Sequence, residues 1–390
     1  MTERLYETDG ACREFAAVVL SCVPAKDGYA VRLDRTAFFP EGGGQYADTG
    51  TLGAAQVTDV QLVDGAPVHY TDRPLTAGET VTGRLDYAVR FARMQHHTGE
   101  HIVSGLICRR FGLHNVGFHL GHTDTTLDFD GELTRAQLRD IEQEANAAVA
   151  ADLAVDIRFP SPEELAQIPY RSKKVLTGTV RLVIIPGVDI CACCAPHVSR
   201  TGQIGGIKLL DAMRYKGGTR IHMLCGQAAF AAFETLYTEA GRAAAALSAK
   251  PEELYAAVTR LLAAREEESR RSAAVRRALA EATAKTLPQN QPLCTVFLPD
   301  ADARLSRSLL TAAQKRGNRV CAVFSGSDRE GYTGVIGSES VDLSPLAEQL
   351  RQELSARGGG GRARWQGKIA ASQHAIGTFL ASRFGKEADG

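Results

Sequence analysis

Arg93-Met94-Gln95-His96-His97-Thr98-Gly99-Glu100-His101 sets two histidines four residues apart. About ninety residues later, Asp189-Ile190-Cys191-Ala192-Cys193-Cys194-Ala195-Pro196-His197 sets a cysteine and a histidine at the same spacing. On a helix, side chains four apart share a face, so His97 and His101 present two ring nitrogens to one ion. Cys193 and His197, offered from a loop, complete a tetrahedron of the nitrogen and sulfur donors that zinc favours. The two segments are expected to share one metal site. A His-x3-His pair alone is common on ordinary helices, and it is the second cluster that turns the pair into half of a ligand set. Cys191 and Cys194 stand as alternatives to Cys193 for the sulfur ligand, or as buried small apolar residues.

A competing motif occupies the same letters. His97-Thr98-Gly99-Glu100-His101 also fits H-x-x-E-H, in which two histidines bind zinc and the glutamate is the general base of a peptidase. That class takes a later glutamate as third ligand, whereas the downstream partner here is Cys-x3-His. Zinc peptidase is therefore the runner-up.

The chain has 390 residues, 44% hydrophobic and 23% charged, enough for two or three domains with their own cores. Forty-five basic residues balance forty-five acidic ones, which excludes a protein that binds nucleic acid by its overall charge and leaves a local basic surface open. Nine cysteines cannot all pair, and three of them crowd into positions 191 to 194, a poor disulfide framework that points to a reducing interior. The first residues lack a basic segment followed by an apolar run, and no stretch has the apolar length of a membrane span. A cytoplasmic protein without membrane contact is expected.

Residues 1–88 read as β-rich. Ala16 to Leu20 and Tyr29 to Leu33 are strands joined near Pro24 to Gly28, and Val57 to Val63 is another, so a small barrel is expected. Within it lies Phe38-Phe39-Pro40-Glu41-Gly42-Gly43-Gly44-Gln45, followed by Asp48-Thr49-Gly50. Three glycines in a row allow positive φ and close backbone approach, as a plain tight turn would also require. From Asp86 the period becomes helical and runs through Ile107. Val116 to Leu120 and Thr125 to Phe129 read as paired strands, and Thr134 caps a helix reaching Asn146. His114, His119 and His122 are read as exposed or hydrogen-bonded histidines. Pro160 to Pro169 is a connector, Thr179 to Ile185 a strand, and Thr201 to Gly206 a turn into the next strand.

Residues 226–288 form an alanine-rich helical hairpin whose second helix opens at Pro251 and is densely charged from Arg265 to Lys285. Those charges read as a solvated face, or as an arm that tracks a phosphate backbone. Residues 289–390 read as an α/β domain with a strand-helix-strand unit over Cys294 to Phe324. Gly358 to Gly361 and Arg362 then permit close backbone contact with a partner subunit or RNA, and the spacing is wrong for a P-loop. The fold class expected is α+β: the barrel at 1–88, a metal-binding α+β domain at 89–225, the helical pair, and the C-terminal α/β domain.

Taken in order and spacing, Phe39 to Gln45, His97-x3-His101 and Cys193-x3-His197 followed by Thr201-Gly202-Gln203-Ile204-Gly205 resemble the editing domain of alanyl-tRNA synthetases and its freestanding relatives, the AlaX proteins. The glycine run at 358–361 resembles that of the DHH-associated C-terminal domain found in those enzymes, and together the motifs cover nearly the whole chain. Because the chain opens at the β-rich module, a long freestanding form without the aminoacylation domain is expected. The resemblance implies hydrolysis of serine, or glycine, wrongly attached to tRNA(Ala), with one Zn2+ per chain at His97, His101, Cys193 and His197. It further implies catalytic roles for Gln45, Glu100, Gly43 and Gly44, and substrate contacts at Gly42, Phe39, Thr98, Phe118 and Asp189. RNA would meet Gly359, Gly360, Gly361 and Arg362, a homodimer would form through the C-terminal domain, and ATP binding attaches only at family level. Where the family usually has Cys-Gly-Gly-Thr-His, this chain has Cys194-Ala195-Pro196 between the ligands, and proline removes an amide donor from that loop. A tRNA-binding module without catalysis is the reading this departure favours.

Overall fold

The computed structural model describes residues 2–121, 125–172 and 178–385, so His122 lies outside the described residues. Their contacts divide the chain into two units, residues 1–241 and 242–390. The fold is mixed α and β, with several sheets and eight α-helices among the described residues.

The first unit opens with β1 (Glu3–Arg4), β2 (Glu14–Ala25), β3 (Gly28–Leu33) and β4 (Arg35–Thr36), followed by β5 (Gly50–Leu52), β6 (Ala55–Val63), β7 (Ala66–Thr71) and β8 (Thr80–Leu85). Strands β2-β3-β7-β6-β5-β8 close into a ring of antiparallel pairings, while β1 pairs β4 in parallel. Period-two alternation explains the closure: Phe15, Ala17, Val19, Val31, Leu33, Val57, Val60 and Val81 all turn inward to one core.

His69 is fully buried in this ring, its Nε2 2.8 Å from Thr36 Oγ1 and its Nδ1 3.2 Å from the Val31 carbonyl. Burial pushes the imidazole down to about 4. An unfolded histidine titrates near 6.5, so the folded state binds fewer protons between the two values and loses stability as pH falls through that window. The expected loss between pH 6.5 and 4 is about 3 kcal/mol, read from urea midpoints of the first unit's transition. A His69→Gln variant should show a correspondingly flatter profile, and an unchanged slope would refute the assignment.

After the ring come α1 (Tyr87–Phe111), β9 (Asn115–Leu120), β10 (Thr125–Phe129), α2 (Arg135–Ala150) and β11 (Asp156–Arg158). Then follow α3 (Pro162–Leu165), β12 (Leu182–Ile185), β13 (Asp189–Ala192), β14 (Ile207–Tyr215), β15 (Gly218–Cys225) and α4 (Gly226–Ala246). One antiparallel sheet has the order β14-β15-β10-β9 and another the order β11-β12-β13. Helix α1 starts at the Asp86 cap, ends at Gly112 with φ 67°, and is buried without interruption from Met94 to Ile107. A helix buried all round must satisfy its polar side chains internally, which makes it the centre of the unit. Thr134 caps α2 in a full capping box with Gln137.

Two sequence expectations change here. The connector at Pro160 to Pro169 contains a turn of helix, α3, because Ser161 caps Glu164 reciprocally and Pro162 occupies the first helical position. The strand expected from Thr179 begins only at Leu182, since its partner β11 pairs no further than Arg158 with Leu182.

The second unit holds α5 (Leu254–Lys285), β16 (Leu293–Leu298), α6 (Ala303–Gln314), β17 (Val320–Ser327), β18 (Gly331–Gly337), α7 (Leu346–Leu354), β19 (Arg357–Gly361), β20 (Arg364–Ile369) and α8 (Gln373–Phe384). The sheet order is β16-β17-β18-β20-β19, with β16 and β17 parallel and the other pairs antiparallel. Leu309, Leu310 and Ala313 of α6 pack on one face, and Leu346, Leu350, Ile376 and Leu380 on the other.

The glycine run forms the exposed edge strand β19. Side chains at Gly358 and Gly360 would collide with the carbonyls of Gln366 and Arg364, so the close backbone approach at these two positions is to the chain's own β20. Gly359 and Gly361 face open space. No helix among the described residues is long and apolar enough to cross a membrane.

Candidate metal centre

Helix α1 places Arg90, Met94, His97 and His101 on one face, at intervals of four, three and four. The loop after β13 brings Cys193 and His197 against the two histidines, and the four donor atoms lie within 4.8 Å of one another. Cys193 Sγ is 3.5 Å from His97 Nε2 and 3.4 Å from His197 Nε2. A tetrahedral ion with nitrogen at about 2.0–2.1 Å and sulfur at about 2.3 Å has N···S edges of about 3.5 Å, so the spacing fits a metal ion. Cys194 is exposed and outside the cluster, whereas Cys191 is buried in a neighbouring group with His101 and Asp189.

Each imidazole turns its other nitrogen to a different partner. His97 Nδ1 is 2.9 Å from Gln45 Oε1, His197 Nδ1 is 3.0 Å from Thr98 Oγ1, and His101 Nδ1 is 3.2 Å from Asp189 Oδ2. The hydrogen bonds at His97 and His197 favour the tautomer that turns Nε2 to the cluster, while the buried His101 Nδ1 has the Asp189 carboxylate beside it but no hydrogen bond. His96, one residue before the cluster, is structural instead: its Nε2 accepts from the Cys225 amide at 3.2 Å, so Nδ1 donates to the Ala92 carbonyl at 2.9 Å.

The electrostatics match this arrangement. Burial opposes ionisation of the Cys193 thiol, but the facing His97 ring and hydrogen bonds from the three imidazoles outweigh it and hold the thiol well below its usual range. Burial and the charge of His101 drive His197 down to about 3. Cys193 as thiolate and His197 as neutral imidazole are in the donor forms a divalent cation takes, whereas His101, lowered by burial but raised more by Cys191, Asp189 and Cys193, is held well above its usual range and must give its proton up to an ion.

Asp189 is positioned through Gly105, where any side chain would meet the Asp189 Cβ at 2.7 Å. Its two oxygens accept from Arg171 Nε and Nη2 at 2.7 and 2.8 Å. Asp189 is buried and faces His101, and Thr98, fully buried, accepts from the Val198 amide at 3.2 Å and lies against His197. A Thr98→Val variant should keep the fold and lose metal affinity roughly 10–100-fold, with Thr98→Ser near wild type. Competition against a chromophoric chelator reads this directly, and equal affinities for Val and Ser variants would contradict the bracing role.

The glycine loop is a tight turn: Gly42 and Gln45 exchange backbone hydrogen bonds at 3.0 Å, with positive φ of 61° at Gly43 and 84° at Gly44. These are the angles of a type I′ turn, which the glycines supply without strain. Gly44 lies flush on β9, its carbonyl accepting from the Leu120 amide at 3.0 Å, and a side chain there would meet the Phe118 carbonyl. The Phe118 ring lies tilted against His97, with ring centroids 4.8 Å apart. The turn delivers Gln45, 1% exposed, to His97, and the Gln45 Nε2 is buried with no hydrogen-bond partner. Phe39 packs edge-on against Tyr6 at 5.5 Å, in one cluster with Ala195 and Cys193.

Glu100 Oε1 accepts from Ser104 Oγ at 2.8 Å and Asn115 Nδ2 at 2.6 Å, and its Oε2 lies 3.7 Å from His101 Nε2. His114 pairs with Asp130 at 3.3 Å on the surface, and exposed His119 meets the Tyr46 ring at 5.9 Å, so neither joins the ligand set. Gly359, Gly360, Gly361 and Arg362 belong to the second unit.

Sequence reasoning missed the supports. Arg90 is fully buried and its Nε donates to both oxygens of Asp48 at 3.0 and 2.9 Å, while Asp48 Oδ2 accepts from the Phe39 amide at 2.6 Å. This pair ties the glycine loop to α1, and its signal was Arg90 on the face of His97 and His101. Arg181 donates to the Cys193 and Ala195 carbonyls at 2.7 and 3.0 Å. The ligand loop is held by its carbonyls, so the amide missing at Pro196 leaves that support intact.

Residues 180–222 match the family described as Threonyl and Alanyl tRNA synthetase second additional domain, a stretch that contains Arg181, Cys193 and His197. The chain is 34% identical to an alanine–tRNA ligase of Pyrobaculum neutrophilum, over 94% of this chain and 42% of that one. It is 33% identical to the alanine–tRNA ligase of Halorubrum lacusprofundi, over 92% and 40% respectively. With the alanyl-tRNA editing protein Aarsd1 of Mus musculus it shares 27% identity over 93% of both chains. The chain spans about two fifths of the length of these ligases and nearly all of the mouse protein's.

Proposed function

Because this chain belongs with the AlaX-like alanyl-tRNA editing proteins, we propose that it is an aminoacyl-tRNA deacylase that hydrolyses serine, with glycine as the second candidate, from mischarged tRNA(Ala). The chemical need is general. A pocket built for alanine cannot strongly reject a near-isostere that adds one hydroxyl, nor a smaller residue, so a second hydrolytic site supplies the missing discrimination. We place the reaction in the cytoplasm, with charged tRNA as partner.

One Zn2+ is proposed per chain, held by His97, His101, Cys193 and His197 with Gln45, Asp189 and Thr98 behind the rings. Bound there, with four protein ligands, the ion supplies positive charge that positions the tRNA end or the aminoacyl group.

The observation that carries the reading is Gln45. Its Oε1 is occupied by His97 Nδ1, which leaves a buried amide donor, Nε2, without a partner beside the ligand cluster. Such a donor stabilises the oxygen of an ester carbonyl as negative charge develops on it. The amides of Gly43 and Gly44 donate to no group among the described residues and stand on the same turn. Glu100, its Oε1 fixed by Ser104 and Asn115, accepts a proton from the attacking water. Water adds to the carbonyl carbon, the ester C–O bond breaks, and the proton passes to the terminal ribose hydroxyl. An aminoacyl ester is reactive, so positioning and oxyanion stabilisation are sufficient help. RNA contact, and contact between two copies of the chain, are assigned to the hairpin carrying Gly359, Gly360, Gly361 and Arg362.

Deacylation of seryl-, glycyl- and alanyl-tRNA(Ala) by the purified chain tests the proposal. Loss of serine or glycine with alanine retained is expected. Retention of all three esters by metal-loaded protein that still binds the tRNA would leave a binding module.

A further inference from the structure

Among the described residues of the first unit, three buried side-chain atoms have no hydrogen-bond partner: Gln45 Nε2, His101 Nδ1 and Thr125 Oγ1. His101 Nδ1 has the Asp189 carboxylate beside it, and Gln45 Nε2 is assigned to the ester carbonyl. Thr125 is fully buried and has no part in the ligand set or in the hydrolysis as described so far. A buried hydroxyl normally has a partner, and keeping one desolvated and unpaired is costly, so an orphan beside a functional site marks a position that a ligand completes.

Strand register shows where this orphan lies. On β10, Thr125, Leu127 and Phe129 alternate onto one face, and Leu127 and Phe129 pack in one core with Met94, Ile102 and Leu106 of α1. Thr125 pairs with Leu120 of β9, and Leu127 pairs with Phe118, whose ring lies against His97. Thr125 and Phe118 are therefore diagonal neighbours on the face that covers α1, with backbones about 7–8 Å apart. Leu120 in turn donates its amide to the Gly44 carbonyl at 3.0 Å, one residue before Gln45. The hydroxyl thus stands one row from the ring that abuts the metal cluster and one strand from the turn that carries the Gln45 amide. Its row neighbours, Leu120 and Met223, are apolar, so the sheet offers it no side-chain partner.

We propose that Thr125 reads the side-chain hydroxyl of a seryl ester, which makes serine rather than glycine the preferred substrate. A threonine hydroxyl both donates and accepts, so it meets the serine Oγ in either sense. A seryl ester then leaves neither hydroxyl unpaired, whereas an alanyl or glycyl ester leaves Thr125 orphaned. A site built to hydrogen-bond a substrate hydroxyl rejects analogues lacking it far more strongly than an apolar pocket rejects an added one, so the same residue protects correctly charged alanine. The inference rests on the deacylase reading and narrows it to one amino acid.

The test compares the wild-type chain, Thr125→Val and Thr125→Ser in three measurements: single-turnover deacylation of seryl- and glycyl-tRNA(Ala), binding of adenosine carrying serine or glycine through a 3′ amide, and thermal unfolding. Wild type should cleave the seryl ester faster than the glycyl one. The seryl-to-glycyl rate ratio should fall roughly 10–100-fold in Thr125→Val and stay near wild type in Thr125→Ser. Because valine keeps the shape and removes a hydroxyl that has no partner, Thr125→Val without substrate should unfold at or above the wild-type temperature. A wild type that prefers the glycyl ester, an unchanged ratio in Thr125→Val, or a Tm several degrees lower in that variant would overturn the assignment, the last by showing that Thr125 is already paired within the fold. The amide analogues are not esters, so tighter binding of the serine analogue, lost in Thr125→Val, is expected whether or not any ester is cleaved. An active wild type with an indifferent Thr125→Val sinks only this inference, whereas an inactive wild type with Thr125-dependent preference for the serine amide sinks only the hydrolysis.

Discussion

A His97→Ala/Cys193→Ala double variant is expected to lose its bound metal and to deacylate the mischarged tRNA roughly 10²–10³-fold more slowly. Two of the four donors disappear, and the remaining pair, His101 and His197, cannot hold a tetrahedral site closed. The His97 ring also anchors Gln45 Oε1 at 2.9 Å, so its removal frees the amide that would meet the ester carbonyl. Elemental analysis gives the metal content, and single-turnover deacylation gives the rate. Gln45→Ala touches both contributions: losing the partner of His97 Nδ1 should weaken metal binding roughly 10–100-fold, and at saturating metal the rate loss that remains reports the amide itself. A double variant that is metal-free and fully active would show that the cluster serves folding alone.

The second large effect concerns stability. Asp48→Ala leaves the Arg90 guanidinium buried without its carboxylate, and breaking a buried pair in this way costs about 3–5 kcal/mol. For a unit of this size the corresponding fall in Tm is on the order of 10 °C. Asp48 also accepts from the Phe39 amide and lies 3.8 Å from Arg93, so the glycine turn should loosen along with the fold. An Arg90→Met/Asp48→Leu pair, which removes both charges, is expected to recover much of the loss, because replacing a buried pair by packed apolar side chains is often neutral. Thermal unfolding followed by circular dichroism decides it. A single variant within 1 kcal/mol of wild type would mean that water or another cation compensates Arg90.

How much of this could be seen in the letters varied with the range of the interaction. Helix α1, the Thr134 cap, the strand pair β9 and β10 and the parallel pair β16 and β17 depend on periodicity, capping and short turns, all written in contiguous residues. The His-x3-His and Cys-x3-His spacings likewise lie within one turn or one loop each. By contrast, the choice among Cys191, Cys193 and Cys194 was open in the sequence, because a loop has no fixed period. The fold pairs β12 with β13, which sets Cys191 beside His101 and Asp189 and places Cys193, on the following loop, with His97, His101 and His197.

The tertiary structure also shows what surrounds three side chains at which the family resemblance implied substrate contact. Asp189 is held by Arg171 and faces His101, Thr98 faces His197, and Phe39 packs on Tyr6. It revealed Arg90 and Arg181, whose partners lie 42 and 12 or more residues away. The sequence by itself determined which segments carry donors and how those donors are spaced along a helix or loop, because local geometry is set by backbone periodicity. Only the tertiary structure decided which donors meet and which polar groups stay unpaired, Gln45 Nε2 among them. Those outcomes depend on desolvation and on contacts between residues distant in the chain, and no local pattern encodes them.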